Sequence, residues 1–444
     1  MAVIAIAPRT VSAPLPAHAL WGTYVFVAWT TLTTIDPITV GPLPIKPLLL
    51  LLALATWYPY RSRIRIPFTT PVLFVAIGIP IVWSFVAIWY EHPYAGYSPS
   101  PVQLMTEHAG RFVYLLIYLP LADAVLQGDG RRGLALWIGP ALALCALTWV
   151  LYLLNYRLGI DVGVSFVAEE GPARSRWGPL AGVIEAYGQG VGRTAFANQI
   201  VIIPAIAVLM GLGLGLHGQS ARRQRRLLLA GLLFALATLY PIHTRGITIG
   251  VFGMLVVIAI LSGRIGSAWP IALLGVITAL LFFGSLDPGA SAFLKGDRSD
   301  LSTQQRLVQG PLLLAEWERR PLFGSGLGAT LPSGYFRSAS QPFSFELTYH
   351  AILFQNGIIG LALFLGVPLF AALQSLLAMR WLPRKERALA AAGAAGISGL
   401  LVACSTNPYL ISTFGMLALA ASIAVCARAV HLARDLREPA RLNA

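Results

Sequence analysis

Long apolar runs separated by short polar segments make up most of this chain. Runs of about 20 residues, enough to cross ~30 Å of hydrocarbon as a helix, recur along it. Because lipid offers no hydrogen-bond partners to free backbone groups, each run is predicted to be helical. The pattern predicts twelve transmembrane helices, over residues 19–36, 44–60, 71–90, 111–127, 133–155, 194–216, 227–243, 246–262, 268–285, 349–379, 388–405 and 411–427. The predicted fold class is all-α: a polytopic integral membrane protein with one transmembrane domain over residues 1–444.

Two longer polar segments interrupt the predicted spans, at residues 156–192 and 286–348. The second precedes the tenth span and contains a predicted amphipathic helix, Ser302 to Arg320, broken at Gly310-Pro311. We expect both segments to form loops on one side of the membrane, the second of them large.

Composition supports the membrane class. Apolar residues make up 57% of the chain and charged residues only 11%, whereas soluble domains carry about 25% charged residues. The cysteines, Cys145, Cys404 and Cys426, all fall inside predicted spans, so the sequence indicates neither a disulfide framework nor a thiolate metal site.

The distribution of charge predicts the orientation. With the N-terminus inside, the cytoplasmic loops and tails hold 19 of the 32 Lys and Arg residues but only 5 of the 18 acidic ones. This asymmetry is typical of the positive-inside rule. It predicts cytoplasmic termini and external loops at 156–192 and 286–348, and it explains the net charge of +14 without nucleic acid as a partner.

In this orientation every even-numbered span begins on the external face. Arg111, Arg193, Arg245 and His350 then lie near helix N-termini at one membrane level. Helix N-termini attract anions, and the planar arginine fork suits phosphate. The pattern indicates an outward-facing anion site. The alternative is that each arginine extends to the lipid headgroups and only anchors its helix.

Glu346 and His350 are the candidate catalytic pair. Their i,i+4 spacing would place them on one helix face, where the carboxylate could orient the imidazole or an acceptor sugar. The alternative is that Ser344 and Glu346 only cap the tenth span.

The sequence indicates no metal and no cofactor. Glu316 and Glu318, with Asp297 and Asp300 upstream, could hold a divalent cation, but residues two apart on a helix do not share a face, which favours a solvated surface. The chain contains no phosphate-binding loop, no dinucleotide-binding glycine pattern and no zinc-type His/Cys spacing.

One set of motifs resembles a known family. Arg306, the run Pro321–Gly328 (PLFGSGLG), His350 and the run Asn356–Gly360 (NGIIG) are similar to the signature region of the O-antigen ligase superfamily, which also contains Wzy-type O-antigen polymerases and protein-linked oligosaccharide ligases. Members often have asparagine directly after the histidine, where this chain has Ala351. The twelve-span, GT-C-like layout with a large periplasmic loop before the tenth span is also similar and covers essentially the whole chain.

The resemblance implies an inverting, metal-independent glycosyltransferase of the bacterial inner membrane, with its active site facing the periplasm. The donor would be an undecaprenyl-diphosphate-linked glycan and the acceptor lipid A-core. His350 and Glu346 would be catalytic, and Arg245, Arg193, Arg111 and Arg306 would hold the diphosphate. A polymerase or a protein O-oligosaccharide ligase is an alternative within the superfamily, and a polysaccharide flippase or transporter is the non-enzyme alternative. The sequence leaves the oligomeric state open.

Overall fold

The computed structural model describes residues 15–32, 39–40, 43–62, 64–89, 108, 110–128, 130–154, 158, 183–187, 191–195, 197–216, 222–242, 244–261, 301–335, 343–405 and 407–442. Within this part, seven helices are long and apolar enough to cross a membrane: Thr69–Trp89, Arg131–Tyr152, Asn198–Gly215, Arg222–Ile242, Thr348–Trp381, Arg384–Ala403 and Thr413–Glu438. Two shorter apolar helices are Ile45–Tyr60 and Gly246–Ile258. The chain is a multi-pass membrane protein.

The helices are numbered in chain order: α1 (Ala17–Leu32), α2 (Ile45–Trp57), α3 (Thr69–Leu73), α4 (Ile79–Trp89), α5 (Gly110–Val113), α6 (Tyr118–Leu126), α7 (Arg131–Tyr152), α8 (Ile202–Gly215), α9 (Arg222–Ala237), α10 (Leu239–Ile242), α11 (Arg245–Leu261), α12 (Leu301–Arg319), α13 (Thr348–Ala378), α14 (Arg384–Ala403) and α15 (Thr413–Leu442). A π-helical turn, Phe74–Gly78, joins α3 to α4, and a 3-10 turn, Tyr114–Ile117, joins α5 to α6.

Two small antiparallel hairpins lie in connecting segments. β1 (Thr39–Val40) pairs with β2 (Leu43–Pro44), and β3 (Val183–Tyr187) pairs with β4 (Val191–Ala195). Neither hairpin was predicted. The residues between the paired strands, Gly-Pro in the first case and Gly-Gln-Gly in the second, are turn formers, so a turn signal was present without a strand signal long enough to detect.

Helices occupy eleven of the twelve predicted spans, and the remaining one, 268–285, lies outside the described residues. The count of twelve therefore stays a prediction, as does the extent of the two loops. The predicted surface helix is present as α12, a single helix that continues through Gly310 and Pro311; the predicted kink at these two residues stays a prediction.

The Ala- and Gly-rich helix α14 lies at the centre of the bundle, against α8, α11, α13 and α15. Small residues allow this close approach, which is the usual device of helix packing in membranes. A Cβ at Gly250 of α11 would lie 2.5 Å from the carbonyl oxygen of Gly399, and one at Gly211 of α8 would lie 2.7 Å from Ala392 Cβ.

The end of the bundle formed by the C-terminus of α6 is held by buried polar contacts. The Asp123 carboxylate is fully buried. It accepts hydrogen bonds from Trp57 Nε1 (2.7 Å), the Ser62 backbone N–H (3.0 Å) and Gln127 Nε2 (3.0 Å). These bonds tie α2 to α6 and satisfy a charge that would otherwise be costly to bury.

Arg428 of α15 lies at the same end. Its guanidinium makes two contacts with the Glu386 carboxylate, at 3.0 and 3.1 Å, and donates to the Val125 carbonyl at 2.7 Å. The Arg428 side chain is 5% exposed and the Glu386 side chain 14% exposed. This largely buried fork fixes α14, α15 and the end of α6 relative to one another.

Candidate active site

Helix α13 is interrupted at Gly357, which has φ 65° and ψ −174°. The run Pro321–Gly328, called here the glycine loop, bonds to the backbone groups that the interruption frees. Ser325 N–H donates to Phe354 O and Gly326 N–H to Gln355 O, both at 2.8 Å. Beyond the break, Ile358 N–H donates to Pro321 O (2.9 Å) and Ile359 N–H to Leu322 O (3.2 Å). The two sequence motifs thus form one structural unit, and the broken backbone is satisfied inside the protein.

Trp83 of α4 joins this unit to the rest of the bundle. Its buried indole N–H lies 2.9 Å from Phe323 O in the glycine loop and 2.8 Å from Asn356 O beside the break. A Cβ at Gly326 would lie 2.3 Å from Ala87 Cα, one turn further along α4. Only glycine permits this approach, so α4 supports both motifs.

The chain enters α13 in a conformation that Gln309 of α12 fixes. Gln309 Oε1 accepts from the backbone N–H groups of Glu346 (2.9 Å) and Leu347 (3.1 Å). Helix α13 begins at Thr348, and its N-cap residue, Leu347, makes no side-chain capping bond. The fully buried Gln309 side chain therefore satisfies two backbone N–H groups directly ahead of the helix.

Arg306 and Glu346 form an ion pair, with 2.7 Å between Arg306 Nε and Glu346 Oε2. The contact is ionic and not a well-aligned hydrogen bond. Arg306 was selected from the family resemblance and Glu346 from its spacing to His350, and this contact brings the two together. The spacing argument for Glu346 was wrong: Glu346 precedes the helix that carries His350, so the i,i+4 rule does not apply. Neither Ser344 nor Glu346 caps that helix.

His350 lies in the first turn of α13 and is half-buried. Its neighbours in sequence anchor this turn. Tyr349 Oη donates to the Leu401 carbonyl near the C-terminal end of α14, and Thr348 Oγ1 donates to Asn407 O. The turn that carries the imidazole is therefore held on two sides: by α14 with the segment after it, and by Gln309.

The first residue of α11 is Arg245, as the sequence predicted. Arg193 lies in β4, opposite Glu185, and not at the head of a helix; α8 begins only at Ile202. Strand β4 packs against α10, which directly precedes Arg245 in the chain. Only the backbone of the two arginines belongs to the described part of the chain.

The start of α11 and the start of α13 lie at the same end of α14. One turn into α11, Gly250 packs on Gly399 and Ala403, while Tyr349 in α13 bonds to Leu401. The predicted common level of Arg245 and His350 thus agrees with the packing of their helices.

Arg111 lies in α5 at the start of a helical segment, as predicted. It lines a partly open cavity of about 30 Å³ whose other lining residues are His108, Phe112, Leu327, Phe343, Ser344, Phe345, Ala351, Ile352, Gln355, Asn356, Pro408 and Ile411. At about 100° per residue, the α13 residues that line this cavity lie roughly 100–240° around the helix axis from His350. The cavity beside Arg111 and the side chain of His350 therefore lie on different sides of α13.

Glu316 and Glu318 of α12 were candidate ligands for a divalent cation. Glu316 pairs with Arg319 at 3.0 Å on an exposed surface, and the described residues include no group of three or more His, Cys, Asp or Glu side chains that could hold a metal ion. Asp297 and Asp300 lie outside the described residues.

Sequence reasoning missed three residues of this region. Trp83 and Gln309 act through contacts between residues 37 to 273 positions apart, which no local pattern reveals. His108 stood in a polar segment close to Arg111, and only Arg111 was selected. The sequence offered one signal for Trp83: it is a tryptophan within an apolar run that also contains glycine and proline.

Comparison with models of known protein families found no match to this chain, and no curated protein matched it.

Proposed function

We propose that the protein is a membrane glycosyltransferase of the O-antigen ligase kind, which transfers a glycan from undecaprenyl diphosphate to lipid A-core at the periplasmic face of the bacterial inner membrane. The observation that carries the proposal is the rigidly held first turn of α13. It carries His350, four residues after the Glu346 that pairs with Arg306, and it lies at the end of α14 where α11 begins with Arg245.

In the proposed reaction, an acceptor hydroxyl attacks the anomeric carbon of the donor sugar. The new C–O bond forms as the bond to the diphosphate oxygen breaks, with inversion. His350 takes the hydroxyl proton, because a neutral imidazole is a base that can accept it near pH 7. Arg245 and Arg193 stabilise the diphosphate leaving group, which is the role a metal plays in other transferases. Arg306 holds Glu346 next to the helix that carries the base.

The superfamily alternatives, a Wzy-type polymerase and a protein O-oligosaccharide ligase, differ only in the acceptor, and nothing in the described geometry favours either. A flippase or transporter would use a broken helix to expose backbone groups to its substrate. At the Gly357 break, the freed carbonyls of Phe354, Gln355 and Asn356 are already bonded to the glycine loop and Trp83. This arrangement supports a fixed scaffold and so favours the enzyme.

The test is transfer by the reconstituted full-length protein, given a lipid-linked glycan and lipid A-core, with and without a chelator. We expect transfer in both conditions. Loss of a general base typically costs ~10²–10⁴-fold in rate, so His350→Ala should abolish almost all turnover while still binding the donor. His431→Ala is the matched control, because His431 pairs with Asp435 in the C-terminal half of α15. A His350→Ala rate within a few-fold of wild type would remove His350 from the mechanism.

The diphosphate contact has its own test. Arg245→Lys keeps the charge but loses the two-pronged fork, so activity at limiting donor should fall by far more than a conservative change suggests. Arg222→Lys, at an exposed arginine that begins α9, is the control. Full transfer by Arg245→Lys would refute the forked contact.

A further inference from the structure

The cavity beside Arg111 is a second polar site, separate from the face of α13 that carries His350. His108 and Asn356 line it and are almost completely buried, at 5% and 3% exposure. Phe343 forms part of its wall: the His108 ring lies edge-on at 4.2 Å, and the Arg111 guanidinium lies 5.8 Å from the centre of the ring. Aromatic contacts thus orient both basic side chains.

Asn356 supplies the observation that points to a ligand. Within the described part of the chain, its Nδ2 group is buried and has no hydrogen-bond partner. Leaving a buried donor unsatisfied is costly, and native proteins usually supply it with a protein group, an ordered water or a bound ion. Its neighbour Gln355 differs, since Gln355 Nε2 donates to Ala329 O and Phe343 O, both at 3.2 Å.

The chemistry of the lining selects the ligand. The cavity offers an arginine fork, an amide N–H and an imidazole, and none of the described residues that line it is acidic. A phosphate group needs hydrogen-bond donors and positive charge, which the arginine and the amide N–H provide. One water requires about 10–15 Å³ of such space, so a cavity of about 30 Å³ has room for two oxygen atoms of a phosphate group, with the rest of the group at the open mouth.

We propose that His108, Arg111 and Asn356 form a binding site for a phosphate group, distinct from the site proposed for the donor diphosphate. The phosphate belongs either to the headgroup of a lipid or to free phosphate in solution. This inference does not depend on the glycosyltransferase proposal, because binding can be measured in the absence of any reaction.

The experiment measures binding to the purified full-length protein in nanodiscs of zwitterionic lipid. Three probes are compared: dihexanoyl phosphatidic acid, the phosphate-free dihexanoyl glycerol, and inorganic phosphate. We expect phosphatidic acid to bind and dihexanoyl glycerol not to bind. Equal binding of inorganic phosphate would identify the free ion as sufficient, and much weaker binding would identify a lipid headgroup; both outcomes support a phosphate site.

Two variants assign the binding to this cavity. Arg111→Gln removes the charge, and Asn356→Asp keeps the shape while placing a negative charge where the N–H donor stood. Each should weaken phosphatidic acid binding by about tenfold or more, the size expected for a charged hydrogen bond. Arg319→Gln, at an exposed arginine, should leave it unchanged. Because Asn356→Asp is nearly isosteric, it tests the site even if Arg111→Gln fails to fold. The proposal is overturned if both folded variants bind like wild type, or if dihexanoyl glycerol binds as well as phosphatidic acid.

Discussion

Replacing Gly357 by alanine should destabilise the protein more than any other single methyl addition in α13. Its φ and ψ of 65° and −174° lie in a region that only glycine adopts readily, and forcing another residue there costs about 1–3 kcal/mol. The new Cβ would also lie 2.2 Å from Leu322 O and 2.4 Å from Leu322 C. The glycine loop must then retreat and lose its bonds from Ile358 and Ile359, at about 1 kcal/mol each. The expected loss is about 3–5 kcal/mol.

Gly366→Ala is the matched control. Gly366 lies in the same helix, and its added Cβ would meet no atom within 4 Å, so alanine should be neutral or stabilising by up to about 1 kcal/mol through helix propensity. Equilibrium unfolding in mixed micelles, followed by circular dichroism, gives both values. If Gly357→Ala unfolds within about 1 kcal/mol of Gly366→Ala, the break in α13 and its pairing with the glycine loop are refuted.

Three further predictions follow from other contacts. Trp83→Phe removes an N–H shared by two carbonyls and should lower the free energy of unfolding by about 1–3 kcal/mol. The control Trp89→Phe, at 83% exposure on the same helical segment, should leave it almost unchanged, and equal melting temperatures of the two variants would contradict the bridging role of Trp83. Arg428→Met leaves the largely buried Glu386 without its arginine and should cost about 3–5 kcal/mol in stability. Arg319→Met, in an exposed pair, should cost about 0–1 kcal/mol, and similar losses in the two variants would show that burial is not decisive. A cysteine at the exposed position Ser333 should react with an impermeant thiol reagent added outside the cell, and one at Arg223 should not; the reverse pattern would invert the predicted orientation.

The sequence predicted the helices well because the signal for a membrane span is local. Apolar length alone selects such a segment, and eleven predicted spans contain helices. The hairpin β3–β4 escaped notice because its strands are five residues long and lack strong alternation. Consequently Arg193 was assigned to a helix start when it lies in a strand.

The candidate site was predictable where it depends on chain position and hidden where it depends on packing. That α11 begins with Arg245 and that His350 lies in the first turn of α13 both follow from the boundary between polar and apolar residues. The partner of Glu346 does not. Local spacing offered His350, but the helix has not yet begun at Glu346, where the chain bends. Helix α12 packs alongside and supplies Arg306 as an ion-pair partner and Gln309 as a hydrogen-bond acceptor.

The resemblance motifs acquire a physical meaning once the two glycines at their contact are compared. A Cβ at Gly324 would lie 2.6 Å from Gly357 N, and a Cβ at Gly357 would lie 2.6 Å from Gly324 N. Each position must be glycine because the other backbone occupies the space. Substitutions at the two sites disrupt the same contact, so their effects should be less than additive when combined. The glycine loop and the Asn356–Gly360 run therefore constrain each other through this contact. The contact lies further along α13, on the C-terminal side of the turn that carries His350.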